Sequence, residues 1–388
     1  MKYIAFALFF LTFFGIWFGT NLYVYHRGMQ ALPSVPWIRI LFTVLIIFLS
    51  TSYILVRFVE RLIPDSPILH LLVWPGSFWF AGLLYSFLLV LLIDLLRLAN
   101  HFIPFFPSFI TSNPIAARKI AFFAVSGITL FIIILGYINA RTPVVRHLTI
   151  SITKSLPKNP FRIALVTDMH FGILVGKKQL EKLTNILKNE QPDLIVFGGD
   201  LMDEIQQPVL RNDIGSTLRT LSAPYGTYAV TGNHEYIGGV EKAIQYIESL
   251  KIKVLRDSVV NIGGFFWLAG REDRDKRRFS GNKRTPLNDI LAAIDRSKPV
   301  LLIDHQPLGL NEAVEAGVDL QLSGHTHHGQ LWPFSFIVKR MYEVSHGYLM
   351  KGNTQFYVSN GYGTWGPPVR IGNRPEVAIL TLTLSKQK

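Results

Sequence analysis

The sequence predicts a chain of two parts: an N-terminal α-helical membrane anchor of four spans, then an α/β domain. Two observations predict this. Residues before 143 hold four long apolar stretches with almost no charge, and residues after 160 alternate short β-branched or leucine-rich runs with amphipathic helical ones. The boundaries that follow are 1–142 for the anchor, 143–160 for a linker and 161–388 for the α/β domain. A linker this short would keep the second part near the bilayer.

The four stretches cover residues 3–25, 40–56, 73–93 and 120–138, each close to the ~20 residues that cross a bilayer's hydrocarbon. The first is too long for the apolar core of a cleaved signal peptide and has no small-residue cleavage site, so a retained helix is expected. Arg39 and Arg57 bound the second span. Asp94 and Arg97 follow the third, where the simplest reading has them ending the helix at the interface; an intramembrane functional pair is the sharper one.

Up to Pro143 there are nine Lys/Arg and three acids, and the remaining 30 and 23 leave the second part mildly basic. Membrane-flanking cations and attraction to phosphates account for that balance better than nucleic acid, so no nucleic acid is expected as a partner. Four spans put both termini on one side, and the flanking cations count five against five. Adding Lys154 and Lys158 tips the balance toward a cytoplasmic second domain. The chain has no cysteine, which excludes disulfides, thiolate ligands and thiol nucleophiles.

Past residue 160, strands are expected at 163–167, 194–197, 228–230, 266–269, 300–303 and 318–322, with helices at 177–188 and 241–250. Late runs at 355–358 and 377–382 have no helix between them, so the end should be more β-like. Chemistry-bearing residues sit just beyond these strands. Asp168 and His170 follow the first, Asp200 and Asp203 the second, and Asn233 and His234 the third; Asp304 and His305 follow 300–303, and His325 and His327 follow 318–322. Ligands in open α/β sheets gather beyond the carboxyl ends of strands, so five such ends would converge on one spot. Mixed imidazole and carboxylate without sulfur suits Mn, Fe or Zn in a working site.

Asp168-Met-His170, Gly199-Asp200-Leu-Met-Asp203, Gly232-Asn233-His234-Glu235, His305 and Gly324-His325-Thr-His327 resemble, in order, the motif set of the calcineurin-like metallophosphoesterase superfamily. The resemblance covers residues 161–384, and the tail 357–370 with Pro375-Glu376 resembles that superfamily's bacterial membrane-associated branch. It implies a four-layer domain of two mixed sheets covered by helices. It also implies two divalent ions (Mn, Fe or Zn), one held by Asp168, His170 and His327, the other by Asn233, His305 and His325, with Asp200 bridging. His234 would sit beside the scissile phosphate as the proton donor, and Asp203 would orient a ligand or His234. The expected reaction is hydrolysis of a phosphoester or pyrophosphate bond by metal-activated water. A lipid-linked or nucleotide-sugar-lipid substrate in a bacterial inner membrane, of the kind met in lipid A assembly, is a candidate. The competing classes are a metal-binding sensor or scaffold and a lipid-transport module, each with little turnover.

Two departures stand out. His328 follows His327 where many relatives have Gly, and Asn360 stands where an Arg is frequent. The glycine-rich segment 360–366 reads equally as a phosphate cradle or a closing loop. Residues 271–284 read as a solvated charged loop, the sharper alternative being a face for anionic head groups or a grip on a substrate phosphate. Asp304 reads as structural, and His346 as having no role.

Overall fold

The computed structural model describes residues 2–60, 63 and 66–385, with the side chains of 2–7 and 9 outside that description. The chain divides into two compact units, Met1–Tyr137 and Ile138–Lys388.

The first unit is helical: α1 (Lys2–Ala31), α2 (Pro36–Val59), α3 (Pro67–Phe102), α4 (Ser108–Thr111) and most of α5 (Pro114–Ala140). Pro36 and Pro67 begin α2 and α3, where a missing N–H costs nothing because first-turn donors have no helical partner. Among the described residues three helices, α2, α3 and α5, are long and apolar enough to cross a membrane, rather than the four expected. The expected first span at residues 3–25 is helical within α1, but part of it lies outside the described side chains. Leu41, Ile47, Phe123 and Phe131 are exposed, as befits surfaces that face hydrocarbon. Where helices meet, small residues let the backbones approach. A Cβ on Gly76 of α3 would lie 2.4 Å from Ser52 Oγ and from the Tyr53 nitrogen of α2.

Asp94 and Arg97 do not end the third helix, which runs on to Phe102. Asp94 instead faces α1, where Arg27 comes within 2.6 Å of its carboxylate and Tyr23 donates to it. A carboxylate met by two donors from another helix has no reason to break its own.

In the second unit the strands are β1 (Val144–Ile152), β2 (Phe161–Val166), β3 (Leu194–Phe197), β4 (Thr227–Ala229), β5 (Lys253–Val254) and β6 (Ser258–Ile262), then β7 (Phe266–Gly270), β8 (Val300–Ile303), β9 (Leu320–Ser323), β10 (Gly347–Lys351), β11 (Thr354–Val358) and β12 (Glu376–Leu384). They form two six-stranded mixed sheets, ordered β1-β12-β2-β3-β4-β5 and β10-β11-β9-β8-β7-β6. Alternate side chains divide between the sheet faces. Phe161, Ile163 and Leu165 of the first sheet share one apolar cluster with Leu301, Ile303 and Leu320 of the second. Ala164 and Val166 point the other way, onto Leu180, Leu183 and Leu187 of helix α6 (Lys177–Glu190). On the second sheet Leu302 and Phe356 pack with Leu287 and Leu310.

Two expectations fail here. Half of the stretch read as a linker, 143–160, is strand β1, paired in parallel with β12 from Val144↔Glu376 to Ile152↔Leu384. Leu148, Ile150 and Ile152 alternate onto the inter-sheet cluster, a period-two signal only three residues long. Lys154 and Lys158, which tipped the topology count, pair at 2.8 Å with Asp319 and at 2.6 Å with Asp193 inside the folded unit. Cations spent on domain ion pairs say nothing about membrane side, and Arg146, also in the count, is spent in the same way on Glu376 at 3.0 Å.

Candidate metal centre

Five strand ends meet as the sequence order requires, those of β2, β3 and β4 from the first sheet and of β8 and β9 from the second. Asp168, His170 and His327 form one group of potential ligand atoms lying within 4.8 Å of one another, and Asp200, His305 and His325 form another. Asp200 also groups with His170 and His234. Its carboxylate lies 3.1 Å from Nε2 of His305 and 3.8 Å from Nε2 of His170, so it stands between the two sets. Nε2 of His170 faces Nε2 of His327 at 3.0 Å, and Asn233 Oδ1 lies 2.9 Å from Nδ1 of His325.

The backbone makes this crowding possible. Asp168, His170, Asp200, His325, His327 and His328 all have φ between 44° and 70°, the left-handed region that side-chain-bearing residues avoid. His328 thus occupies a conformation that glycine takes freely. Gly232 and Gly324 serve close approach instead. A Cβ would come 2.1 Å from Asp200 Oδ1 at the first and 2.3 Å from Asp168 Oδ2 at the second.

Without an ion, protons and buried charges share the site. Burial pushes Asp168 up to about 6, against the pull of His305. Burial, aided by His234, lowers His170 to about 3, and burial with His305 does the same at His325. His305 goes the opposite way. Burial opposes its charge, but Asp200 and Asp168 outweigh burial and hold it well above its ordinary value. A positive charge between two buried carboxylates is the place a cation would take, and Nε2 of His305 points into it, 3.1 Å from Asp200. The nitrogen and oxygen donor set therefore fits a divalent ion.

Three supporting residues had no role expected from the sequence. Glu235, wholly buried, accepts the backbone N–H groups of Asp200 (3.1 Å), Met202 (2.9 Å) and Gly232 (2.7 Å), tying two strand-end turns together. Burial and the Asp200 charge raise it to about 7. Glu204, not Asp203, takes the hydrogen bond of His234 Nδ1 at 2.8 Å, while Asp203 lies 3.9 Å away. Burial would lower His234, but Asp200, Glu204 and Asp203 hold it up at about 9. Arg370, fully buried, donates to the carbonyls of Gly361 and Gly363 and reaches Nδ1 of His327 at 3.1 Å. Only acidity next to a motif, or a lone Arg in a Gly/Pro-rich tail, could have flagged them.

The surroundings settle other readings. Asn360, Gly361, Tyr362 and Gly363 donate their N–H groups to Glu376, Ser359, Thr167 and the Asp168 carbonyl, so these donors close the site rather than cradle phosphate. Trp365 is exposed, its ring 6.1 Å from that of His234. The charged run at 271–284 is not simply solvated. Arg271, Glu272 and Asp273 are buried, and Arg271 meets Glu312 at 2.7 Å. Arg284 meets Asp304 at 2.9 Å, which gives Asp304 its structural place. His346 is not idle either, lying 3.5 Å from buried Glu376.

Comparison with known proteins places this geometry. A family model described as Calcineurin-like phosphoesterase matches residues 161–329. An uncharacterized metallophosphoesterase of Aquifex aeolicus is 33% identical over 233 residues, 59% of this chain and 88% of its own. The chain belongs to the calcineurin-like phosphoesterase family. Within that family, an uncharacterized metallophosphoesterase of Helicobacter pylori (strain 26695) is 36% identical over 58% of this chain, and the match spans 60% of that relative's length. Another, from Campylobacter jejuni, is 27% identical over 98% of this chain and 99% of its own length, helical unit included.

Proposed function

We propose that this calcineurin-like chain is a membrane-anchored hydrolase of phosphoester or pyrophosphate bonds, working with two divalent ions of the Mn, Fe or Zn kind. The observation that carries the reading is Asp200, whose carboxylate stands between the His170 set and the His305 set. Asp168, His170 and His327 would hold one ion, Asn233, His305 and His325 the other, with Asp200 shared. Ions so placed would supply Lewis acidity and make bound water acidic enough to act near neutral pH. The four-layer arrangement fits the three apolar clusters between and outside the sheets. The apolar helices support membrane attachment, with α1 as a fourth span, and a lipid-linked substrate is the finer proposal.

The chain's own residues complete the chemistry. Nδ1 of His234 is engaged by Glu204, which leaves Nε2 as the nitrogen to meet substrate. A protonated imidazole there can hydrogen-bond a phosphoryl oxygen and give its proton to the departing oxygen. Trp365 beside it would limit water on that flank. Arg370 and Glu235 fix the loops that carry the ligands.

The test is hydrolysis by the purified full chain with Mn²⁺ or after chelation, across monoester, diester and lipid pyrophosphate substrates. Wild type should turn over only with metal, Asp200→Asn should lose that turnover, and the best substrate names the bond. Turnover indifferent to chelation and to Asp200→Asn would remove the enzymatic reading and bring forward a sensor or scaffold.

A further inference from the structure

The helical unit carries a half-open cavity of about 1020 Å³ between its helices, at the top of the range for sites that hold small organic ligands. Its lining is two-faced. Along α2, α3 and α5 it is apolar, with Phe42, Leu49, Phe78 and Phe122 among the walls. At one end it is charged, with Arg27, Asp94, Arg97 and Arg118. These lie near the C-termini of α1 and α3 and near the N-terminus of α5, which antiparallel packing brings to one level. From Arg118 to Ile133 the α5 lining runs about 22 Å at the helical rise of ~1.5 Å per residue.

The charges at that end do not balance. Asp94 is the one carboxylate there and is already engaged by Arg27 at 2.6 Å, by Arg97 at 3.3 Å and by Tyr23. Arg118 forms no ion pair with a described residue, and Nε of Arg27 is buried with no partner. Three guanidinium groups therefore line the cavity end against one carboxylate, beside an apolar shaft, and the surplus positive charge is open to an anion. Guanidinium groups suit phosphate oxygens, and basic pockets between membrane helices take lipid head groups. An apolar shaft left empty would forfeit the contacts that an acyl chain supplies.

We propose that this cavity binds an anionic phospholipid, its phosphate on Arg97 and Arg118 with Arg27 behind, and an acyl chain along the shaft toward Ile133. The site is separate from the metal centre in residues and in chemistry, and it rests on the membrane reading given above.

Native mass spectrometry of the full chain in nonionic detergent tests it, with phosphatidylglycerol or phosphatidylcholine of identical acyl chains added. Wild type should retain phosphatidylglycerol over phosphatidylcholine by about tenfold, because both bring the phosphate but only the second brings a quaternary ammonium that offsets it beside the guanidinium groups. Arg97→Gln with Arg118→Gln should bring the two lipids level, and the matching Lys pair should keep most of the preference. Ser126→Phe, which fills the shaft, should reduce retention of both. Metal-dependent hydrolysis of a water-soluble diester should be unchanged in every variant. Equal retention of the two lipids by wild type overturns the inference, as does a preference that survives the Gln pair. Recovery of the chain without detergent would overturn the membrane reading itself.

Discussion

His234 and its carboxylate neighbours show how single residues set the behaviour of the centre. Glu204 and Asp200 hold the imidazole protonated above its ordinary range, so the proton-donating form persists to about pH 9 in the ion-free chain. Removing the Glu204 charge lowers that value. A Glu204→Gln enzyme should therefore lose activity at lower pH on the basic side of its kcat profile, with the acidic side unmoved. His234→Ala should cut kcat by about 10²–10⁴-fold with bound metal unchanged by elemental analysis, the usual worth of a positioned proton donor. Glu235→Gln should lower stability by about 2–4 kcal/mol in denaturant unfolding, because an amide cannot accept all three N–H groups that the carboxylate takes. Glu376 makes a prediction of opposite kind. Burial opposes its charge, yet His346, Tyr357 and Arg146 outweigh burial and hold it at about 2. Its folded value lies below the unfolded one, so its contribution is full above about pH 4.5 and fades as pH falls toward 2. That contribution is at most about 3 kcal/mol, and Glu376→Gln should flatten the thermal stability curve over that interval.

At the scale of elements, the strands that carry the candidate ligands were legible because each is a short apolar run closed by a Gly, Asp or His turn. β3 and β8 fall on the expected residues. What was not legible depends on partners distant in sequence. β1 looks like a connector until β12, more than two hundred residues later, pairs with it. The buried start of 271–284, residues 271–273, looks like part of a solvated loop until Asp304 and Glu312 arrive to neutralise its arginine. Local charge counts cannot report such pairings, and the same blindness made Lys154 and Lys158 look like membrane-side markers. Among the turns, Gly232→Ala should cost the site its ion, since the added methyl falls on Asp200 Oδ1. Metal titration by calorimetry would show this as lost binding, with the far-ultraviolet dichroism of the fold kept.

For the whole molecule, the apolar clusters of the second unit are built from residues of that unit alone. A chain of residues 138–388 should therefore fold without detergent and hydrolyse a soluble diester with metal. A chain starting at residue 161 should not, because it strips β1 from β12 and leaves a nine-residue edge of unpaired N–H and C=O groups. Asn139 adds to the contrast by donating to the carbonyls of Arg370 and Asn373, so even the residues before β1 hold the tail that carries Arg370. Size-exclusion profiles of the two chains at equal concentration would compare a monodisperse peak with aggregate.

The left-handed turns of the centre also set how far its sequence can drift. At Asp168, His170, Asp200, His325 and His327 a substitution is filtered twice, once by the donor atom it offers and once by a backbone conformation that costs most L-residues about 1–2 kcal/mol. At His328 only the second filter acts. In a saturation library selected for folding alone, His328 should therefore accept Gly and Asn ahead of every branched residue. The other five positions should relax toward those same two residues as soon as selection for activity is lifted. Decay of the catalytic sequence in a lineage that no longer needs it would then run along a predictable track, toward glycine and asparagine, before the fold itself is lost.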